Sequence, residues 1–326
     1  MEKIGFVTTI PIEIVYASGN IPVDLNNLFI NEKDPNRLVS KAEEEGFPRN
    51  FCTWIKGTYQ IAKQLKIRKI ITVREGECTN SEKQAEMFHY NNISCITFSY
   101  PHTRNTVQLK NEFERLMREF HVSWDAVEKI KNRLSSIRKK LCDLDERTYT
   151  KHTITGFENY AWLISSTDFN GDPDAYEERL DIFLSEVKTR DVDIYTSHKK
   201  IGLIGIPPIV NNIFSEIEKL NGIVVYNEFP RQFSMPSSSD DIIEQYRNFT
   251  YPYDITYRIE DIHNEIKKRK LDGIIHYVQS FCPRQVDDMI LRKKITIPYL
   301  TIECDKPGTL DERNVTRLEA FFERWY

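Results

Sequence analysis

Two apolar runs, each opening on Ile-Gly and closing on proline, constrain this fold more than any other feature. They are Ile4-Gly5-Phe6-Val7-Thr8-Thr9-Ile10-Pro11 and Ile201-Gly202-Leu203-Ile204-Gly205-Ile206-Pro207-Pro208. Each is followed by a short helical run and another strand-like stretch, residues 21–25 in the first half and 222–226 in the second. Further strands read at 69–74 and 93–98, then at 274–278 and 297–302. Near-continuous apolar strands spaced by helices indicate parallel sheets covered on both faces. The expectation is two copies of one α/β unit, each with a sheet of four or five strands.

Between the halves the pattern changes to helical spacing. Phe113, Leu116, Met117 and Phe120, then Val127, Ile130, Leu134, Ile137 and Leu141, recur on one face among lysines and arginines. Further helices read near 159–166 and from Pro173 to about Lys188, and a last one from Glu312 carries Val315, Leu318, Phe321 and Phe322 on one face. The predicted organisation is an N-terminal α/β domain of residues 1–195 with a helical insert at about 108–190, and a C-terminal α/β domain of residues 196–326.

The chain has 326 residues, 40% hydrophobic and 29% charged, enough for two ordinary cores. Its 45 basic and 49 acidic residues leave a formal charge of −4, which gives no electrostatic reason to expect nucleic acid as a partner. No charged-then-apolar leader opens the sequence, and no run approaches the roughly 20 apolar residues that span a bilayer. A cytoplasmic enzyme or small-molecule binding protein is expected. The six cysteines, spread from Cys52 to Cys304, do not form the dense framework of a secreted disulfide protein.

Cys78 follows Ile71 by seven residues, and Cys282 follows Ile275 by seven, so both leave the carboxyl end of a strand. Open parallel sheets bind their ligands at that edge, beside helix N-termini. Cys52, in Pro48-Arg49-Asn50-Phe51-Cys52-Thr53-Trp54, starts another helix and supplies a third thiol. All three sit in polar or glycine-containing loops, where an inert packing thiol is less expected. Cys95 within an apolar strand and Cys142 on an amphipathic helix read as packing residues, whereas Cys304 beside a strand end is a further candidate ligand. Three thiolates without a nearby histidine suit iron-sulfur or zinc, and their long separations argue against a compact zinc knuckle. A redox disulfide between two of them is the competing reading.

An ordered set of motifs runs through nearly the whole chain: Thr8-Thr9-Ile10-Pro11-Ile12-Glu13, Ala17-Ser18-Gly19-Asn20-Ile21-Pro22-Val23-Asp24, Pro48-Arg49-Asn50-Phe51-Cys52 to Lys56-Gly57, Phe281-Cys282, Ile297-Pro298-Tyr299-Leu300-Thr301-Ile302-Glu303-Cys304-Asp305 and Thr316-Arg317-Leu318-Glu319-Ala320-Phe321-Phe322-Glu323. This set resembles the 2-hydroxyacyl-CoA dehydratase and benzoyl-CoA reductase family. The resemblance implies two flavodoxin-like domains with a 4Fe-4S cluster in the cleft between them, held through three cysteines that map onto Cys52, Cys78 and Cys282. It implies a dimer of identical or similar subunits and a separate ATP-hydrolysing iron-sulfur activator that delivers one electron. In the dehydratases it implies that this electron turns a 2-hydroxyacyl-CoA thioester into a ketyl radical, the β-proton becomes acidic and hydroxide leaves. Such an enzyme would be oxygen-sensitive. Here Cys78 is followed by Thr79-Asn80-Ser81-Glu82 instead of aspartate and basic residues. The stretch Tyr226-Asn227-Glu228-Phe229-Pro230-Arg231 carries no extra thiol for a double cubane, so one cluster per chain is expected.

Among other polar residues, Glu13 past the first strand is a candidate proton-transfer group, with a helix-start carboxylate as the alternative. Glu228, in the cluster Asn227, Glu228, Arg231 and Gln232, is a candidate for substrate chemistry. Arg49 and Lys56 flank Cys52 and are candidates to hold cluster sulfides or a bound anion. Lys129, Lys131, Arg133, Arg138, Lys139 and Lys140 read as a solvated helix face, and His102 as a surface histidine. Gly202 and Gly205 lack both the dinucleotide fingerprint and a Walker lysine, which excludes a nucleotide loop there. Two other classes stand beside the enzyme: a non-catalytic cluster-bearing electron-transfer or scaffold subunit, and a metal-free two-domain small-molecule binding module.

Overall fold

The computed structural model describes residues 1–190, 197–237 and 239–325, so the predicted junction at residues 195 and 196 lies outside the described residues. The chain divides into two compact units. One comprises Met1–Lys140, Ser165–Glu178 and Gln232–Asp254, the other Leu141–Ile164, Arg179–Arg231 and Ile255–Tyr326.

The first unit begins with β1 (Lys3–Phe6), α1 (Ile12–Ala17), β2 (Ile21–Asp24), α2 (Leu25–Ile30) and α3 (Pro35–Glu44). It continues with α4 (Thr53–Gln64), β3 (Lys69–Val73), α5 (Thr79–Tyr90), β4 (Ser94–Phe98) and α6 (Thr106–Phe120). Next along the chain are α7 (Trp124–Thr150), α8 (Gly156–Ile164) and α9 (Pro173–Val187), of which α8 belongs to the second unit. The second sheet is built around β5 (Lys199–Gly205), α10 (Ile213–Lys219), β6 (Gly222–Asn227) and α11 (Glu228–Phe233). After α12 (Ile242–Arg247) and α13 (Ile255–Arg269) come β7 (Gly273–Gln279), α14 (Asp287–Lys294), β8 (Tyr299–Cys304) and α15 (Glu312–Phe322). Side-chain caps set several starts: Asp24, Asp34, Asn105 and Asp311 each accept a backbone N–H of the helix that follows.

Both sheets are four-stranded and parallel, in the orders β2-β1-β3-β4 and β6-β5-β7-β8. These are two flavodoxin-like α/β sheets, as the strand pattern requires. The repeat holds at the level of register. Gly5 pairs with Ile70 in the first sheet and Gly202 with Ile274 in the second, with Phe6 opposite Ile71 and Leu203 opposite Ile275. In both places the neighbouring isoleucine side chain packs over the glycine. A Cβ on Gly5 would sit 3.1 Å from Ile70, and one on Gly202 would sit 2.6 Å from Ile274.

Two strands are displaced from their sequence limits for physical reasons. β1 ends at Phe6 because the Val7 carbonyl is taken by the Asn26 side chain at 2.7 Å instead of by a neighbouring strand. β8 starts at Tyr299 and not at Ile297, since Pro298 has no N–H for the ladder, although its carbonyl still accepts from Ile274 N at 2.8 Å. The second core gathers Ile204, Ile223, Val225, Ile262, Ile274 and Leu291 around its sheet. In the first unit Ile4, Phe6, Ile70, Ile71 and Phe98 are wholly buried.

The basic face read along α7 is not uniformly solvated. Lys131 and Arg138 are buried, the former donating to the Asp240 carbonyl at 2.9 Å and the latter to Glu13 at 2.6 Å. Arg133 and Lys140 pair with Glu177, and Lys129 and Lys139 are exposed. Helical spacing alone does not separate a solvated cation from one whose charge is met by a distant carboxylate.

At the start of α8 the backbone approaches β6 closely: a Cβ on Gly156 would lie 2.6 Å from both the Val224 carbonyl oxygen and the Val224 Cβ. Backbone cannot swing aside as a side-chain tip can. Gly156→Ala is therefore expected to destabilise the second unit by about 2 kcal/mol, read as a lower urea midpoint, and an unchanged midpoint would refute the close approach.

Candidate functional site

The register places Cys78 and Cys282 at equivalent positions, each eight residues after the isoleucine that faces the sheet glycine. In each sheet the order reverses at the first strand, so the loops after β1 and β3, and after β5 and β7, open at a topological switch point. Cys78 is the N-cap residue of α5, and Cys282 precedes the short helical turn Pro283–Val286. Cys52 is likewise the N-cap residue of α4, whose start lies at the carboxyl edge because the helix returns toward the beginning of β3. None of the six cysteines is in a disulfide.

Helix-to-helix contacts fix the two thiols of the first unit. Gln84 on α5 donates to the Ile55 carbonyl at 3.0 Å and to Thr58 Oγ1 at 2.7 Å on α4, and Tyr59 stacks with Phe88 at 6.0 Å. Lys56, wholly buried, donates to Glu43 at 2.8 Å and to the Arg49 carbonyl at 2.9 Å, which ties down the loop entering Cys52. The Arg49 residue itself is exposed. Glu77 closes the switch point: it hydrogen-bonds Thr8 Oγ1, accepts from the Tyr251 hydroxyl at 3.1 Å and takes the Cys78 N–H at 2.8 Å. Glu77 and Tyr251 were not legible as a pair, being far apart in the chain and contiguous with no motif.

The three thiols outside this set are held in the neutral form. Burial pushes Cys95 and Cys142 up from their ordinary range, and it pushes Cys304 up to about 11. Cys52 and Cys78 stand at the starts of α4 and α5, where the first backbone N–H groups favour a nearby negative charge such as a metal-bound thiolate, and Cys282 precedes a turn that opens on Pro283. The donor chemistry of Cys52, Cys78 and Cys282 thus fits a thiolate-ligated centre. Among the described residues no three His, Cys, Asp or Glu side chains form a group that would hold a single metal ion.

Both candidate catalytic carboxylates are buried in ion pairs. Glu13 is fully enclosed on α1, accepting from Arg138 at 2.6 Å and from the Tyr246 hydroxyl at 2.7 Å. Glu228, at the start of α11, receives Arg258 in a two-pronged pair at 2.5 and 2.9 Å and the Gly205 N–H at 2.7 Å. Asn227, Arg231 and Gln232 are also engaged internally, with Asn159, with Asp261 and with the Thr250 N–H. His102 is exposed.

A small recess of about 10 Å³, room for roughly one water, lies at the switch point of the second sheet, lined among others by Gly205, Arg258, His276, Gln279 and Cys282. His276 lies within β7, 2% exposed, with Nδ1 2.8 Å from Asp288 Oδ1. Burial lowers its tendency to protonate, while burial of Asp288 is outweighed by bonds from His276, Thr301, Arg292 and Tyr299, which hold that carboxyl well below its usual range. The visible signal was a lone histidine inside the apolar run Ile274-Ile275-His276-Tyr277-Val278.

At the end of β2 two further carboxyls share a buried pocket of polar groups. Asp168 accepts from Asp24 N at 2.8 Å and Asn170 N at 2.9 Å, and Asp24 accepts from Thr167 Oγ1 at 2.7 Å. Burial, then the charge of Asp24, pushes Asp168 up to about 7, and burial raises Asp24 as well.

Two predictions follow from these enclosed charges. Arg138→Met strands the Glu13 carboxylate and is expected to cost about 3–5 kcal/mol, measured by denaturant unfolding; a loss under about 1 kcal/mol would refute the pair. Asp168 binds its proton more tightly folded than unfolded, so its contribution is complete below the ordinary aspartate range and declines as pH rises to about 7. The stability of Asp168→Asn relative to the native chain should therefore rise between about pH 4 and pH 7, and a pH-independent difference would contradict the assignment.

No curated protein matches this sequence. The family model described as 2-hydroxyglutaryl-CoA dehydratase, D-component, matches residues 7–324. That span takes in strands β2 to β8, Cys52, Cys78 and Cys282, and the recess, and the chain belongs to this family.

Proposed function

We propose that the protein is an iron-sulfur dehydratase of the 2-hydroxyacyl-CoA type, acting on an acyl-CoA thioester or a similar small electrophile. The observation that carries this reading is the trio of cysteines, each at the start of a helix or helical turn at the carboxyl edge of a parallel sheet, within a chain of the D-component family. Cys52, Cys78 and Cys282 would hold one 4Fe-4S cluster. Thiolates bound to different irons of a cluster stand farther apart than ligands around one ion. With three protein ligands, such a cluster supplies one-electron chemistry and an iron open to an oxygen ligand.

The chain's own residues then have defined tasks. Gln84 and Lys56 hold the helix starts that present Cys52 and Cys78. Glu77 fixes the loop before Cys78, and the Glu13–Arg138 and Glu228–Arg258 pairs stiffen the floor of each switch point. Under this reading Arg49 and Lys56 act near the cluster, Lys56 through the loop it anchors, and Glu13 and Glu228 act by positioning. An ATP-hydrolysing iron-sulfur activator would supply the electron, and a second copy or a similar subunit would complete a dimer. The exposed Phe281, Val286, Met289 and Ile290 beside Cys282 give this segment the apolar character of a partner surface. No helix among the described residues is long and apolar enough to cross a membrane, consistent with a cytoplasmic setting.

The deciding measurement is iron and acid-labile sulfide on protein purified without oxygen. About four of each per chain are expected, with colour lost in Cys52→Ser, Cys78→Ser and Cys282→Ser and kept in Cys95→Ser and Cys142→Ser. Zinc or no metal in the native chain, or unchanged iron in Cys282→Ser, would overturn the reading.

A further inference from the structure

We propose that Ser81 raises the reduction potential of the iron-sulfur centre by donating its hydroxyl hydrogen to the sulfur of Cys78. This rests on the cluster reading and adds to it a positioning residue, which acts on the centre through one of its ligands.

Ser81 Oγ stands 3.6 Å from Cys78 Sγ, a hydrogen-bonding separation for an atom as large as sulfur. Between a hydroxyl and a thiol either atom can donate. A thiolate bound to iron has given up its proton and can only accept, so on ligation the donor is Ser81.

The local structure holds the hydroxyl in this position. Ser81, Gln84 and Phe88 form the buried face of α5. The Ser81 N–H donates to the Cys78 carbonyl at 3.0 Å, which closes the first turn between the two residues. Gln84, on the same face, ties the helix to α4 through the Ile55 carbonyl and Thr58. Ser81 is only 6% exposed, so water does not readily take the place of its hydroxyl. The backbone N–H of Cys78 is directed elsewhere, to Glu77 Oε1 at 2.8 Å, and Glu77 is itself held by the hydroxyls of Thr8 and Tyr251.

The sign of the effect follows from charge. One-electron reduction adds negative charge that spreads onto the ligand sulfurs. A donor at one of those sulfurs therefore stabilises the reduced form more than the oxidised form. The same bond draws electron density away from the iron-sulfur linkage and weakens it. Ser81 thus eases acceptance of the electron that the activator supplies, without touching substrate.

The test is protein-film voltammetry of the full chain, purified without oxygen, with resonance Raman spectra of the oxidised centre. Ser81→Ala is expected to lower the midpoint by about 59 mV, a tenfold change in the one-electron equilibrium constant, and to raise an Fe–S(Cys) stretching frequency. The isosteric pair Ser81→Thr and Ser81→Val separates the hydroxyl from the packing and decides the question even where the alanine variant binds no iron. Threonine is expected to keep the equilibrium constant within about twofold of the native chain, and valine to follow alanine. An unchanged midpoint and stretch in Ser81→Ala, or equal values in the threonine and valine variants, overturn the inference and leave the cluster reading standing. A native chain without iron overturns both.

Discussion

The parallel pairing of the first and third strands in each sheet governs everything placed at its carboxyl edge. Gly5 pairs with Ile70 and Gly202 with Ile274, so the two sheets share one register at their centre. With those strands fixed in register, the loops that follow them leave the sheet at equivalent heights. Cys78 and Cys282 occupy matching places for that reason, and not because any local motif is shared around them.

A second constraint is electrostatic. Arg138, Arg258 and Arg269 are all at least nine-tenths buried, and each is met by carboxylates: Glu13, Glu228 and Asp287, and Asp145 with Glu265. Removing such charges from water costs several kcal/mol each, about as much as their attraction returns. Their net worth therefore lies less in stability than in fixing one arrangement of helix against sheet. Glu228 illustrates the point, since its second oxygen also receives the Gly205 N–H and so sets the backbone beside the recess.

The parallel sheets, the repeat and the positions of Cys78 and Cys282 after a strand were legible because buried parallel strands are apolar runs bounded by turn residues. Fold class followed from period and punctuation alone. What the sequence hid were pairings across long separations. Glu13 with Arg138, Glu77 with Tyr251 and Arg269 with Asp145 have no local signature. The lysines and arginines of α7 looked alike on a helical projection, yet two of them are buried against partners supplied by distant segments. His276 was visible but unread, because a polar residue inside a buried strand acquires meaning only when its partner, Asp288, is known.

These pairings also redistribute the chemistry among the ionisable groups. Glu13 and Glu228 look like acids or bases in sequence, but each is engaged by a buried guanidinium, Glu13 by Arg138 and Glu228 by Arg258, an arrangement suited to holding a loop. Asp288 is likewise fixed by its four donors, but one of them is an imidazole whose other nitrogen faces the recess. A proton can be exchanged at that nitrogen without breaking a buried ion pair. At the second switch point the group that lines the recess is thus the imidazole oriented by Asp288, while Glu228 is held by Arg258.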